Sequence, residues 1–246
     1  MLVASCRRHT LFSDKPGGAR LNRSDVYNRY PPRMPLHATE ALILRTYKLG
    51  ESDRIVVFLT RDRGKKRGVA KNARQSRRRF GGALEPLTYG RVGYVERERR
   101  DLVRLDYVEA VRSPLAAADG EALGYVSYFA ELVDEWAQEA DPNEALFRLG
   151  VSMVEAMVKG VPIQPLARYF EFWLLRLQGV YQIDPRLSVE AREFLAAVRR
   201  VTPIGLKHVA VLPAVLRELE GIHREQIAMH LEKELKSVRV LREMRR

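Results

Sequence analysis

The chain has 246 residues, 46% apolar and 30% charged, with a formal net charge of +12, enough for one large domain or two ordinary ones around a buried core. Its apolar runs all fall short of the ~18–20 residues that a membrane helix needs. A single cysteine, Cys6, excludes a disulfide framework and a cysteine-based zinc site, which fits a reducing cytoplasm.

In chain order, residues 1–33 carry a net charge of +5 and mix Arg, Ser, Asn, Gly and Pro without apolar periodicity; this predicts a disordered extension. Met1–His9 has no apolar stretch long enough for a signal peptide. Met34 precedes the first patterned segment, so folded structure is expected to start there, and it is a possible start of translation. Five short apolar or β-branched runs follow: Ala41–Thr46, Ile55–Thr60, Gly64–Ala70, Leu87–Val95 and Leu102–Val111. Their lengths and their Gly-rich or charged turns predict a small five-stranded barrel over residues 34–113. Ser113-Pro114 is a break, after which the period becomes helical. Helices are expected over Asp119–Glu139, from Asp141-Pro142-Asn143-Glu144 (Asp141 as N-cap) to Lys159, then over Gln164–Gln178 and Val189–Arg200, the last capped by Ser188. Two shorter ones are expected over Val211–Leu219 and Arg224–Lys233. The fold class is α+β, an N-terminal five-stranded barrel followed by a C-terminal helical domain over 114–246.

Charge points to function. Residues 61–79 (RDRGKKRGVAKNARQSRRR) hold ten Lys/Arg against one Asp, whereas residues 80–246 are net −2. Lysine and arginine neutralise phosphates and release condensed counterions, so an anionic polymer is the expected partner of this part of the chain. The candidate ligands are Arg63, Lys65, Lys66, Arg67, Lys71, Arg74, Arg77, Arg78 and Arg79. Gly64 and Gly68 are expected to let backbone approach the ligand. Phe80 and Tyr89, directly after the basic run, are candidate stacking rings for bases, while Phe58 is expected in the core. No P-loop or GxGxxG is present, and the five histidines show no metal-ligand spacing. Gly50–Asp53 reads as a turn with Asp53–Arg54 pairing. The aromatic stripe Phe129, Trp136, Phe170, Phe172 and Trp173 is expected mostly in the core; Phe172 and Trp173 are neighbours that cannot share one helix face, and exposure of one of them as a partner surface is the alternative.

Taken in order, Glu40-Ala41-Leu42-Ile43-Leu44-Arg45, Leu49-Gly50-Glu51-Ser52-Asp53-Arg54, Gly64-Lys65 with Arg67-Gly68-Val69-Ala70-Lys71, and Arg79-Phe80-Gly81-Gly82-Ala83-Leu84-Glu85-Pro86 resemble the RecO family of bacterial recombination mediators. A weaker match continues through Arg168-Tyr169-Phe170-Glu171, Leu174-Leu175 and Gly179 to Leu235-Lys236-Ser237 and Arg239. The resemblance implies an N-terminal OB-fold, binding of single- and double-stranded DNA, strand annealing, and help in loading RecA, in a cytoplasmic, nucleoid-associated protein without catalysis. The implied partners are RecR and the acidic C-terminal tail of single-stranded-DNA-binding protein. Many members carry a four-cysteine zinc knuckle after the Tyr-Phe-Glu helix. Here Gly179–Ser188 runs almost directly into the next helix with no cysteine, so neither zinc nor any other cofactor is expected. An RNA-associated barrel, or a protein–protein adaptor with a basic loop, remains the alternative.

Overall fold

The computed structural model describes residues 35–96, 101–118 and 120–244; the expectations for residues 1–33 and for Met34 lie outside them. Strands β1 (Leu36–Leu49), β2 (Asp53–Thr60), β3 (Gly64–Ala70), β4 (Tyr89–Val95) and β5 (Val103–Arg112) close a barrel in the order β1-β2-β3-β5-β4. All pairings are antiparallel except β3 with β5, a short parallel contact from Gly68–Val103 to Ala70–Leu105. This is the Greek-key closure of an OB-fold.

β1 is long enough to serve two neighbours. Its first half pairs with β4 and its second half with β2, and the register shifts between Ile43 and Arg45, as a bulge does when it bends a strand. The runs ALIL and IVVFL read as continuous apolar sequence because both faces of these strands are covered. Ala41, Ile43, Val56 and Phe58 point into the barrel, while Leu42, Leu44, Val57 and Leu59 join the helical core.

That helical core is built on α1 (Gly120–Trp136), α2 (Glu144–Val158), α3 (Ile163–Leu177), α4 (Val189–Val198), α5 (Pro213–Leu231) and α6 (Lys236–Met244). Three details differ from the sequence reading. The side chain of Asn143, not Asp141, caps α2 by accepting from Leu146 N at 2.9 Å. The two short helices expected around residues 211–233 are one helix, α5; Gly221 lies inside it with nothing within 4 Å of an added Cβ. α6 had no counterpart in the expectations. Its N-terminus is held by Glu131 of α1, whose carboxylate accepts from Lys236 N (3.2 Å), Ser237 N (2.8 Å) and Ser237 Oγ (2.5 Å).

The barrel and the helices are joined by charge as well as by apolar packing. Arg45 on β1 places Nε 2.6 Å from Asp134 and Nη2 3.2 Å from Glu135. Arg61 bridges Glu40 and Glu144, each at 3.0 Å.

Candidate nucleic-acid interface

The loop between β3 and β4 is a folded part of the barrel. It packs Ala73, Phe80, Ala83 and Leu84 into the barrel core. A chain of turns supports it: Ser76 N and Gln75 N donate to Asn72 O, Phe80 N to Ser76 O, and Ala83 N to Phe80 O. Val108 N on β5 donates to Arg79 O at 2.9 Å. The β1–β2 turn holds the other side. Asp53 Oδ1 accepts from Asn72 N at 2.8 Å, and Arg74 donates to both Ser52 O (from N) and Glu51 O (from Nη1). Asp53 therefore orders the basic loop in place of the expected pairing with Arg54. Asn72 sits at φ +53, a left-handed conformation that asparagine tolerates better than most residues.

This scaffold divides the candidate ligands. Lys71, Arg74, Arg77 and Arg78 project from the loop and are exposed, as is Arg67 on β3. Arg67, Lys71, Arg77 and Arg78 have no acidic partner among the described residues. Arg63 is exposed in the β2–β3 turn, its Nε 3.8 Å from Asp62. Arg79 is half-buried, bonded to Ser76 Oγ (2.9 Å) and Lys71 O (2.6 Å), with its guanidinium 4.9 Å from the Phe80 ring.

The remaining candidates face inward. Lys65 points at α1, its Nζ 2.6 Å from Asp134 O and 3.2 Å from Asp134 Oδ1. Lys66, on the opposite face of β3, pairs with Glu96 at 2.9 Å and holds that carboxyl below the usual range. Gly64, at φ +67, is approached by the helical domain's own backbone: a Cβ there would lie 2.4 Å from Asp141 N. Lys65 N donates to Gln138 O, and Ala140 N donates to Lys65 O. At Gly68 an added Cβ would meet Val103 of β5 at 2.9 Å. Both glycines thus admit neighbouring parts of this chain, in place of the ligand approach expected from sequence.

The two expected stacking rings are also corrected. Phe80 is 1% exposed, inside the barrel, where no base can reach it. Tyr89 is half-buried against Phe147, and its hydroxyl bonds Glu40; that bond first, then Arg61, keeps the Glu40 carboxyl below its ordinary range. Phe172 is buried and Trp173 half-buried, with the Arg176 guanidinium within 6 Å of both rings.

Strand register reveals positions that composition did not. Tyr47, Ile55, Val69 and Arg104 stand side by side across β1, β2, β3 and β5, and Arg67 lies next to Val57 in the adjoining row. Ile55 and Val69 are half-buried, and Tyr47, Arg67 and Arg104 are exposed. The face of strands two and three, with the first turn, is where OB-folds take oligonucleotides. The signal was available only once the pairing was known.

One cluster has the residue types of acid–base chemistry. Glu171 accepts from Tyr128 (2.8 Å), pairs with Arg168 (2.9 Å) and lies 3.1 Å from His223 Nδ1. Every member is at most 4% exposed, so the cluster braces α1, α3 and α5, and the cavity that Tyr128, Arg168 and Glu171 line holds only about 30 Å³, roughly the space of one water. It accounts for Arg168 and Glu171 in the recognised motif. Among the described residues no group of His, Cys, Asp or Glu is arranged to hold a metal ion, and no helix is long and apolar enough to cross a membrane.

Two family models match the chain: recombination protein O N terminal over residues 34–114, and recombination protein O C terminal over residues 117–193. Among curated proteins, the DNA repair protein RecO of Koribacter versatilis is 46% identical over 148 residues, 58% of this chain and 59% of that protein. The RecO proteins of Anaeromyxobacter sp. (strain K) and Geobacter metallireducens are 42% and 40% identical, over 61% and 59% of this chain and 59% of each relative. The match thus spans about three fifths of each relative's length. The order of the matched models, the barrel closure and the motif series agree, and the chain belongs to the RecO family.

Proposed function

We propose that this protein is a DNA-binding mediator of recombinational repair. It binds single- and double-stranded DNA, anneals complementary strands and assists RecA loading, without catalysing a covalent step. The observation that carries this reading is the folded β3–β4 loop, which holds Lys71, Arg74, Arg77 and Arg78 outward on an OB barrel while its apolar residues plug that barrel. Fixed cations on a rigid support meet phosphates at a lower ordering cost than the same charges on a loose tail. The family relationship supports DNA as the polymer and RecR as a partner.

The helical domain supports the partnership with the acidic tail of single-stranded-DNA-binding protein. A cavity of about 260 Å³ between α5 and α6 has Ile227, Leu235 and Val238 in its wall and Arg224 at its rim, beside Glu225 and Glu234, which are paired with Arg186 and Arg242. Arg224 has no acidic partner among the described residues. An acidic peptide with an apolar end matches that chemistry.

The test is annealing of complementary strands precoated with single-stranded-DNA-binding protein, together with oligonucleotide binding as a function of salt. Arg77→Glu with Arg78→Glu should abolish annealing and weaken binding. Annealing unaffected by this double reversal would overturn the reading. Tighter binding to RNA than to DNA of the same sequence would favour the RNA-associated alternative.

A further inference from the structure

Tyr47 is the most exposed aromatic side chain among the described residues, at 45%. It stands on β1 beside the β1–β2 turn that holds the basic loop. Arg45 lines the same slot as Tyr47 and is fixed there by Asp134 at 2.6 Å and Glu135 at 3.2 Å. The Tyr47 ring thus stands open to solvent on a strand that its pairing with Ile55 of β2 holds in place. Beside it lies an apolar slot of about 320 Å³, lined by Leu44, Pro86, Ala130 and Val240, with Lys236 at its edge. That volume falls in the ~300–1,000 Å³ range of small-ligand sites.

We propose that Tyr47 is a base-stacking platform: one unpaired base of single-stranded DNA lies on its ring and enters the adjoining slot. Lys236, in the wall of the slot, is exposed, has no acidic partner among the described residues, and meets a flanking phosphate. The carboxylates of α1 on this side are engaged: Glu131, in the slot wall, by the start of α6, Asp134 by Arg45 and Lys65, and Glu135 by Arg45 and Lys233. Duplex DNA keeps its bases stacked on one another and cannot offer one to a lone ring, so the site selects single strands. Stacking on aromatic rings tolerates any sequence, as strand annealing requires. The Tyr47–Ile55–Val69–Arg104 row continues the path across the barrel to a further exposed arginine.

This inference rests on the DNA-binding reading, and the experiment separates the two. The full chain is titrated with oligo-dT carrying one 2-aminopurine, and with a duplex, using the wild type, Tyr47→Ala, Tyr47→Leu, Tyr47→Phe and Arg77→Glu/Arg78→Glu. Tyr47→Ala and Tyr47→Leu should weaken single-strand binding about five- to a hundredfold, lose the 2-aminopurine quench, and leave duplex affinity and the salt slope unchanged. Tyr47→Phe keeps the ring and should keep both affinity and quench. Single-strand affinity and quench intact in Tyr47→Leu, with binding lost in the arginine double variant, would remove the stacking role and leave the DNA reading standing. Equal losses on single strand and duplex would also remove it. A wild type that binds neither DNA would overturn both.

Discussion

Lys65 carries a cation within the basic run, yet the structure assigns it to the joint between barrel and helices. Lys65→Met keeps most of the aliphatic stem and removes the ammonium. Two contacts are lost, to Asp134 O and Asp134 Oδ1. A hydrogen bond to a charged group contributes ~1.5–3 kcal/mol, and breaking a fully buried pair costs ~3–5 kcal/mol. Both side chains keep some exposure, 17% and 14%, and Asp134 retains Arg45 at 2.6 Å. The expected loss is therefore about 1–2 kcal/mol, which for a chain of this size lowers Tm by roughly 2–8 °C. Because the ammonium does not reach a ligand, the dependence of single-strand affinity on salt should be unchanged. The assay pairs thermal unfolding with oligonucleotide titration at four salt concentrations. A variant with unchanged Tm, whose log–log salt slope falls by ~0.7, the value of one single-strand phosphate contact, would refute this placement and return Lys65 to the DNA face.

Gly64→Ala puts a Cβ 2.4 Å from Asp141 N at φ +67, so backbone strain and a clash that no rotamer relieves should together cost more than about 3 kcal/mol; a urea-unfolding loss under ~1 kcal/mol would contradict the close approach of loop and strand. Tyr94 has a buried hydroxyl with no hydrogen-bond partner among the described residues, and burial pushes its phenol up to about 12. Its folded value lies above the unfolded ~10, so the stability it contributes is complete below pH ~10 and is lost as pH rises towards 12, at up to ~1.4 kcal/mol per pH unit. Tyr94→Phe should be near neutral at pH 7 and shallower than wild type between pH 10 and 12 in alkaline unfolding.

Local pattern carried the architecture well and its joints poorly. β-branched runs and Gly turns located all five strands, and the change of period after Ser113 located the helical domain, because both signals arise within a few residues of one another. The misreadings arose where the deciding contact is distant in sequence. The two short helices expected over Val211–Leu219 and Arg224–Lys233 are one, because α5 is stabilised by Leu219, Ile222 and Ile227 in the common core. α6 has nine residues and two buried ones, Ser237 and Leu241, too few for periodicity to register, and it depends on a cap from Glu131, more than a hundred positions earlier. At the candidate site, charge density identified the β3–β4 loop and its outward arginines. It did not distinguish Lys65 from Arg67, since the cover supplied by α1 is invisible to composition. Phe80 looked accessible through its proximity to arginines, but an arginine beside an apolar ring is equally the sign of a loop that buries one and exposes the other.

The basic run is best understood as ten cations sharing two tasks, and the division has a measurable consequence. Arg61, Lys65 and Lys66 join strands, helices and the β4–β5 hairpin, and Arg79 folds the loop that carries the others. Arg67, Lys71, Arg77 and Arg78 remain without acidic partners among the described residues, while Arg63 and Arg74 are exposed with weak or neutral ones. If all ten cations met phosphates, the single-strand salt slope would approach ~−7; four to six give about −3 to −4. A contact from Lys236 would add to the latter value and remain after reversal of Arg77 and Arg78. A slope near −7 that collapses on that double reversal would require the structural cations to leave their carboxylates on binding DNA, and hence the barrel to part from the helices. A slope of −3 to −4 keeps the joint closed, with Arg61 and Lys65 still on their carboxylates throughout the titration.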